Sequence, residues 1–295
     1  MKEIDYDMPL YRPPSEANSL IFQATLGCTH NKCAFCVAYQ NKRFRARPES
    51  EVLDEIDWAA REMPETRRVF LADGDAMALS ARRMNRILTR LYDRFENLER
   101  VTAYASPQNL LGKSVDDLKS VRENGLSMLY FGLESGDDEV LERIDKGATC
   151  DEMVEACSRA HQAGFDLSIT VILGLGGPRL SERHARATAR ALDRIRPRYA
   201  AALTLMLAPR QPTFEEVFGD PEWRMLDQIE ILKECRVLLM NMEADGIIFR
   251  SNHASNYLAL KGVLQKDKQR LLDTIDHALS DPDSPLLRPE FLRAL

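Results

Sequence analysis

The sequence contains no apolar run long enough to cross a bilayer. Its longest, at 167–177 and 199–209, reach about half of the roughly 20 residues a spanning helix needs. Positive charge is not in excess either. Forty Lys and Arg face 46 Asp and Glu for a formal net charge of −6, which removes the general electrostatic drive toward nucleic acid or an anionic membrane. Neither a membrane nor a nucleic acid is therefore an expected partner. The opening MKEIDYDMPLYRPPSEA has acids and prolines where a secretory leader carries a basic end and an apolar stretch, so a cytoplasmic protein is expected. Internal repeats and low-complexity segments are also missing.

What is present is enough for one large core or two modest ones: 295 residues, 44% of them hydrophobic. A disulfide-stapled miniprotein and a disordered tail are both excluded. In a reducing compartment the six cysteines read as core residues, metal ligands or nucleophiles before disulfides.

Short strand-like runs alternate with helical stretches from about residue 20 to about residue 207. The strand candidates are SLIFQAT, RVFLA, RVTAYA, SMLYFG, DLSITVILG and YAAALTLML. Between the second and third, Met84, Ile87, Leu88, Leu91 and Phe95 recur at helical steps, with Arg82, Arg83, Arg86, Arg90 and Arg94 on the other face, read as solvated. Ser114 and Gly125 bracket a helix as N-cap and left-handed stop, and Gly164 stops the helix begun near Asp151. Such alternation builds either an open doubly wound sheet or a partly closed barrel, and both place ligands beyond the strands' C-terminal ends. After Pro209 it ceases. Asp220 and Pro221 suggest a long helix running to about Met242, followed by the strand candidate GIIFR, the polar stretch SNHASNYLALKG and a helix over about 267–279.

Cys28, Cys33 and Cys36 lie in CTHNKCAFC directly after the first strand, close enough for three thiolates to meet at one soft metal centre. A cubane iron-sulfur cluster held by three cysteines leaves one iron open. Zinc usually wants four ligands, and His30 could supply the fourth. Cys150, Cys157 and Cys235 show no such spacing and read as small buried hydrophobes.

At these residues the chain resembles the radical S-adenosylmethionine superfamily, over about 19–207. The resemblance implies an α/β fold, a partial (β/α)6 TIM-like barrel with a mostly helical C-terminal extension. It also implies two cofactors, a [4Fe-4S] cluster on the three cysteines and S-adenosylmethionine. Four residues separate the first two cysteines where the common spacing is three, which makes the loop longer. Phe35 matches the family's aromatic before the last cysteine. LADGDAM resembles the glycine-rich turn, so that Asp73, Gly74 and Asp75 would meet the cosubstrate's ammonium. YFGLESGDDEVLERIDKG resembles the segment for its ribose and carboxylate, with Glu134 and Ser135 for hydroxyls and Arg143 or Lys146 for the carboxylate. ITVILGLGGPR resembles the adenine turn, with Ile172, Leu173 and Gly174 in contact.

The implied reaction makes a 5′-deoxyadenosyl radical that takes hydrogen from a small-molecule substrate, with a one-electron donor such as a flavodoxin or ferredoxin as partner. A cluster-binding carrier of the heme-handling kind and a zinc-stabilised binding module remain alternatives. On this reading residues 1–18 form an extension, 19–210 the core and 211–295 a lid or substrate wall. His253 is the candidate proton donor and Tyr39 a second catalytic candidate, while Arg210, Arg250, Asn252 and Asn256 are candidates for substrate binding, although the same polar loop could simply cap the fold. The basic run QNKRFRAR suits a phosphate-bearing substrate, an acidic electron donor, or plain solvation. Sulfur insertion is not expected, because neither a second cysteine set nor the added segment of the tRNA methylthiotransferases precedes Cys28.

Overall fold

The computed structural model describes residues 3–39, 41–207, 212–281 and 284–294. It divides into two compact units, one made of residues 1–31, 36–131 and 155–167, the other of 32–35, 132–154 and 168–295. The main-sheet strands number eight among the described residues, mostly parallel.

In the first unit, strands β1 (Leu20–Gln23), β4 (Arg68–Ala72), β5 (Arg100–Ala105) and the start of β6 (Leu126–Glu134) pair in parallel in that order. Two short strands, β2 (Thr25–Leu26) and β3 (Arg45–Ala46), pair antiparallel and close the base of the cysteine loop. Helices α1 (Glu49–Glu62), α2 (Ala81–Arg94), α3 (Pro107–Leu111) and α4 (Val115–Glu123) connect the strands. The stripe read from sequence on α2 is the buried one: Met84, Ile87, Leu88, Leu91 and Phe95 are at most 1% exposed, each worth about 1.5–3 kcal/mol of burial. Its arginine face is solvated as expected, with Arg82, Arg86 and Arg94 exposed, and it carries surface ion pairs, Arg86 forking onto Glu49 of α1 and Arg94 meeting Asp57. Ser114 caps α4 by accepting from the Asp117 amide, and Gly125 stops it at φ +109°. The N-terminal segment is tied to β1, where the Asp7 amide and carbonyl exchange hydrogen bonds with the Gln23 side chain.

The second unit takes the end of β6 together with β7 (Asp166–Leu173), whose first two residues belong to the first unit, and α5 (Asp138–Arg143). Helix α6 (Cys150–Gln162) is likewise shared. Helix α7 (Gly177–Ile195) leads to β8 (Tyr199–Thr204), α8 (Phe214–Phe218) and α9 (Gln228–Asn241), then β9 (Ile248–Arg250), β10 (Lys261–Val263) and α10 (Lys268–Ser280). Strands β7, β8 and β9 are parallel, and β10 turns back antiparallel on β9.

The long helix expected over 220–242 is shorter. Asp220 makes a turn instead, its carboxylate accepting from the Glu222 amide and its carbonyl from Trp223. The helix starts after Asp227, whose capping box with Glu230 satisfies both end amides, and a reciprocal cap outweighs a proline at the first position. Trp223 holds the turn down by donating its indole N–H to the Leu175 carbonyl at 3.1 Å.

Candidate functional site

The turn after β4 reaches back to the cysteine loop. Asp73 is fully buried, and its Oδ2 accepts from the Gly27 amide and from the Lys42 ammonium, each at 3.1 Å. Asp75, also buried, accepts from the Thr29 hydroxyl and from the Asn109 side-chain amide. Burial raises the Asp75 pKa, against the lowering by its hydrogen bonds from Thr29, Ser106 and Asn109. The two acids expected to face the cosubstrate's ammonium thus spend one oxygen each on pinning Gly27 and Thr29, the residues either side of Cys28. Their other oxygens, Oδ1 of both, are buried without a hydrogen-bond partner among the described residues. Such acceptors are costly to leave unmatched, and an ammonium group would satisfy them.

Gly74 stands between these acids where no side chain fits, since a Cβ would lie 2.4 Å from the Tyr39 ring. Tyr39 is buried, its hydroxyl has no partner, and burial pushes its pKa up. The ring meets Tyr11 edge-on at 5.8 Å.

Cys28, Cys33 and Cys36 are partly exposed and in no disulfide, while Cys150, Cys157 and Cys235 are buried as expected. Burial pushes the Cys235 thiol up to about 12, which makes it inert. Phe35 is half-buried, and the Ala34 amide beside it donates to Ile144 O. No three His, Cys, Asp or Glu side chains converge tightly enough to hold a metal ion among the described residues. The donor chemistry nonetheless fits an iron-sulfur cluster: three accessible thiols on one loop whose base is anchored by buried acids.

At the end of β6, Glu134 adopts φ +61°, a left-handed conformation that a non-glycine residue holds only under tertiary constraint. Its Oε1 meets the Lys146 ammonium at 3.0 Å in a nearly enclosed pair, and Gly132 leaves the room, since a Cβ there would lie 2.0 Å from that oxygen. Glu134 and Lys146 are therefore brought together, whereas Arg143 is drawn off to Glu139, the Phe218 carbonyl and the face of the Phe218 ring. Ser135 is also committed. Its Oγ accepts from the Asp137 amide and lies 2.7 Å from His184 Nδ1.

His184 and Glu234, neither singled out in the sequence, join this turn to the one after β7. His184 Nε2 donates to the Ile172 carbonyl at 3.1 Å. Glu234 accepts from the Gly174 amide at 2.7 Å and from the Ser181 hydroxyl at 2.5 Å, and lies 3.6 Å from His184 Nε2. Burial raises its pKa, opposed by His184 and both hydrogen bonds. Ile172 and Leu173 are themselves buried, and Gly174 turns the chain at φ +89°. A glutamate in KECRV looks solvated by its type, yet it stands three residues after Ile231 and four before Leu238, on the buried face of α9.

In the polar C-terminal stretch several side chains engage the backbone or one another. Asn256 is buried, donating to the Ala202 carbonyl and accepting from the Thr204 hydroxyl. Ser255 and its amide both engage His253 Nδ1, which places the proton of the neutral ring on Nε2. Burial, then the nearby Arg288, lowers the His253 pKa. Asn252 is exposed. Arg250 lies over the Tyr199 ring. Arg210 lies outside the described residues.

The basic run divides in the same way. Lys42 is buried on Asp73, and Arg47 forks onto Glu55 with both oxygens engaged at 2.6 and 2.8 Å. Neither can dock a partner. Arg43 and Arg45 stay exposed and join no ion pair among the described residues. With Asp7, Leu26, Asn41, Lys42 and Phe44 they line a concavity of about 430 Å³.

Among curated proteins, the chain is 24% identical over 232 residues to the heme chaperone HemW of Bacillus subtilis, covering 75% of this chain and 59% of that one. It is 25% identical over 234 residues to the tRNA-2-methylthio-N(6)-dimethylallyladenosine synthase of Akkermansia muciniphila, covering 77% and 49%. The chain thus spans about half the length of these relatives. The solved structure of the radical SAM enzyme coproporphyrinogen III oxidase (HemN) from Escherichia coli superposes with TM-score 0.56 at 17% identity, over 75% of this chain and 52% of that one. Methylornithine synthase (PylB) gives 0.54 at 16% identity over 91% and 74%. The partial TIM-like barrel expected from the sequence is the fold these neighbours share. Residues 22–192 match the profile of the Radical SAM superfamily, and the chain belongs to that superfamily.

Proposed function

We propose that the chain holds a [4Fe-4S] cluster through Cys28, Cys33 and Cys36 and uses it with S-adenosylmethionine to act on a small molecule. The observation that carries this reading is the pinning of Gly27 and Thr29 by Asp73 and Asp75, each of which keeps a second buried oxygen unmatched among the described residues. Held by Cys28, Cys33 and Cys36, such a cluster would supply the single electron needed for reductive cleavage of S-adenosylmethionine to methionine and a 5′-deoxyadenosyl radical.

The chain's own contribution is positional. Asp73 and Asp75 offer acceptors to the cosubstrate's ammonium, and Gly74 admits close approach. Lys146 would take the carboxylate by exchanging Glu134 for it, releasing Glu134 toward the ribose hydroxyls. The turn Ile172–Leu173–Gly174 would receive the adenine, held in place by His184 and Glu234. Tyr39 shields the acid pair from water, and His253, with its proton on Nε2, is a donor to substrate. Residues 211–295 would form the substrate wall. Arg43 and Arg45, exposed and in no ion pair among the described residues beside the strand that leads into the cysteine loop, suit an acidic one-electron donor such as a flavodoxin or ferredoxin.

Heme handling without turnover is the second reading, favoured by the likeness to HemW. Anaerobic reconstitution with iron and sulfide, reduction with dithionite and assay for 5′-deoxyadenosine separate the two. Nucleoside release by the wild-type chain, with loss of iron and sulfide in Cys33→Ala, supports the enzyme. A loaded protein that never releases nucleoside supports the carrier, and zinc without labile sulfide overturns both.

A further inference from the structure

The parallel strands of the second unit carry, on one face, an arginine with no anion. Thr170 of β7 registers with Ala201 of β8, and Ala201 with Arg250 of β9, so the three side chains form one row. Toward the strands' C-terminal ends the next row is Ile172 and Leu203, and in the other direction it is Ser168, Tyr199 and Ile248. Residues on the opposite face, Ile169, Val171, Ala200, Ala202 and Phe249, are at most 1% exposed. Thr170, Tyr199, Ala201, Leu203, Ile248 and Arg250 are all only half-buried. One face of these strands is therefore closed by the core, and the other is partly open, with Ser168 and Ile172 buried on it.

Arg250 is anomalous on that partly open face. Its guanidinium lies 5.6 Å from the centroid of the Tyr199 ring, its Nε is buried without an acceptor, and no carboxylate pairs with it among the described residues. Arg47, Arg100 and Arg293, also withdrawn from solvent, each have a glutamate. Stacking on tyrosine compensates only part of the lost hydration of a guanidinium, and it leaves the buried Nε–H without an acceptor among the described residues. The row neighbours Thr170 and Ala201 are small, and Thr170 carries a hydroxyl on the same face.

We propose that Arg250 is the binding residue for an anionic group, carboxylate or phosphate, on the substrate. The apolar body of that substrate runs along Ala201 to Ile172 and Leu203, which places its carbon atoms at the strand ends where the Gly174 turn lies. One row is two residues of strand, about 6.6 Å, so the body is a short chain or a single ring. This rests on the proposed function for which end of the strands is the reacting one.

The test uses the full chain without cluster or cosubstrate, with hexanoate, butyl phosphate and hexanamide as probes in calorimetric titration. Hexanoate or butyl phosphate should bind saturably and at least about tenfold tighter than hexanamide, and the tighter of the two identifies the anion. Arg250→Gln should weaken anion binding by about tenfold or more and leave hexanamide unaffected, while Arg250→Lys, which keeps the charge, should restore part of it. Circular dichroism melts check that both variants fold. Absence of saturable binding of either anion to the wild-type chain overturns the proposal, as does equal affinity in Arg250→Gln. Because no cosubstrate is present, failure here leaves the cleavage reading standing, and failure to cleave leaves the anion site standing.

Discussion

Replacing Glu234 offers a sharp test of how the two turns beyond β6 and β7 are held. Its carboxylate is enclosed and serves the Gly174 amide and the Ser181 hydroxyl. Glu234→Leu fills similar space but orphans both donors. A buried donor left unmatched costs about 1–3 kcal/mol. The half-buried Ser181 can turn elsewhere, so most of the loss comes from Gly174, in all about 2–3 kcal/mol. Glu234→Gln behaves differently, because its oxygen still accepts from Gly174 while its amide donates to a Ser181 hydroxyl rotated to accept. That variant should lose about 1 kcal/mol or less, and a gap of about 2 kcal/mol between the variants corresponds to roughly 4–8 °C in melting temperature. Thermal and urea melts measure the gap, and calorimetric titration with S-adenosylhomocysteine reads the turn itself, with weaker binding expected in Glu234→Leu than in Glu234→Gln. Equal melting temperatures for the two variants would refute the assignment of Glu234 as the acceptor that fixes Gly174.

Two further outcomes follow from buried charge. Arg47→Met strands Glu55, which is fully enclosed, and should cost about 3–5 kcal/mol; adding Glu55→Leu should recover most of it in urea melts, and no recovery would show that the guanidinium acts mainly through the Gln23 carbonyl. Burial lowers the pKa of His253 and of His161 from the ordinary 6.5, so the unfolded chain takes up these protons first as pH falls. Their contribution to stability is therefore complete above about 6.5 and is lost as pH drops from there toward the depressed values. The fall in melting temperature between pH 7 and pH 5 should shrink in His253→Gln and further in the double variant with His161→Gln, and an unchanged slope would count against both shifts.

The strands were legible because a buried parallel strand is a short run of Val, Ile, Leu and Ala between turn residues; RVFLA and RVTAYA match β4 and β5 residue for residue. The α2 stripe and the caps at Ser114 and Gly125 were legible for the same local reason. What sequence could not show is which polar side chains find each other across distant segments. Lys42 and Arg47 sit in a run that looks solvated, yet each meets a buried acid from another segment. Ser135 has the right chemistry for a ribose hydroxyl but is consumed by His184, which lies 49 positions away in the chain. The Asp227 to Glu230 capping box was visible in the sequence, and the Asp220-Pro221 pair, seven residues earlier, obscured it.

The anchoring of the cysteine loop also bears on its unusual length. Gly27 and Thr29 are held from below by the acids after β4, and Asn31 stands at φ +46° with its side-chain amide donating to the carbonyls of Tyr39 and Lys42. Asparagine is one of the few residues that enters this conformation readily. A supernumerary position between the first two thiols can thus be absorbed as a small outward bow at Asn31, with the foundations under Cys28 undisturbed. Loops of different length could be grafted onto the same acidic footing, and the spacing of the sulfurs becomes a matter of the bow alone.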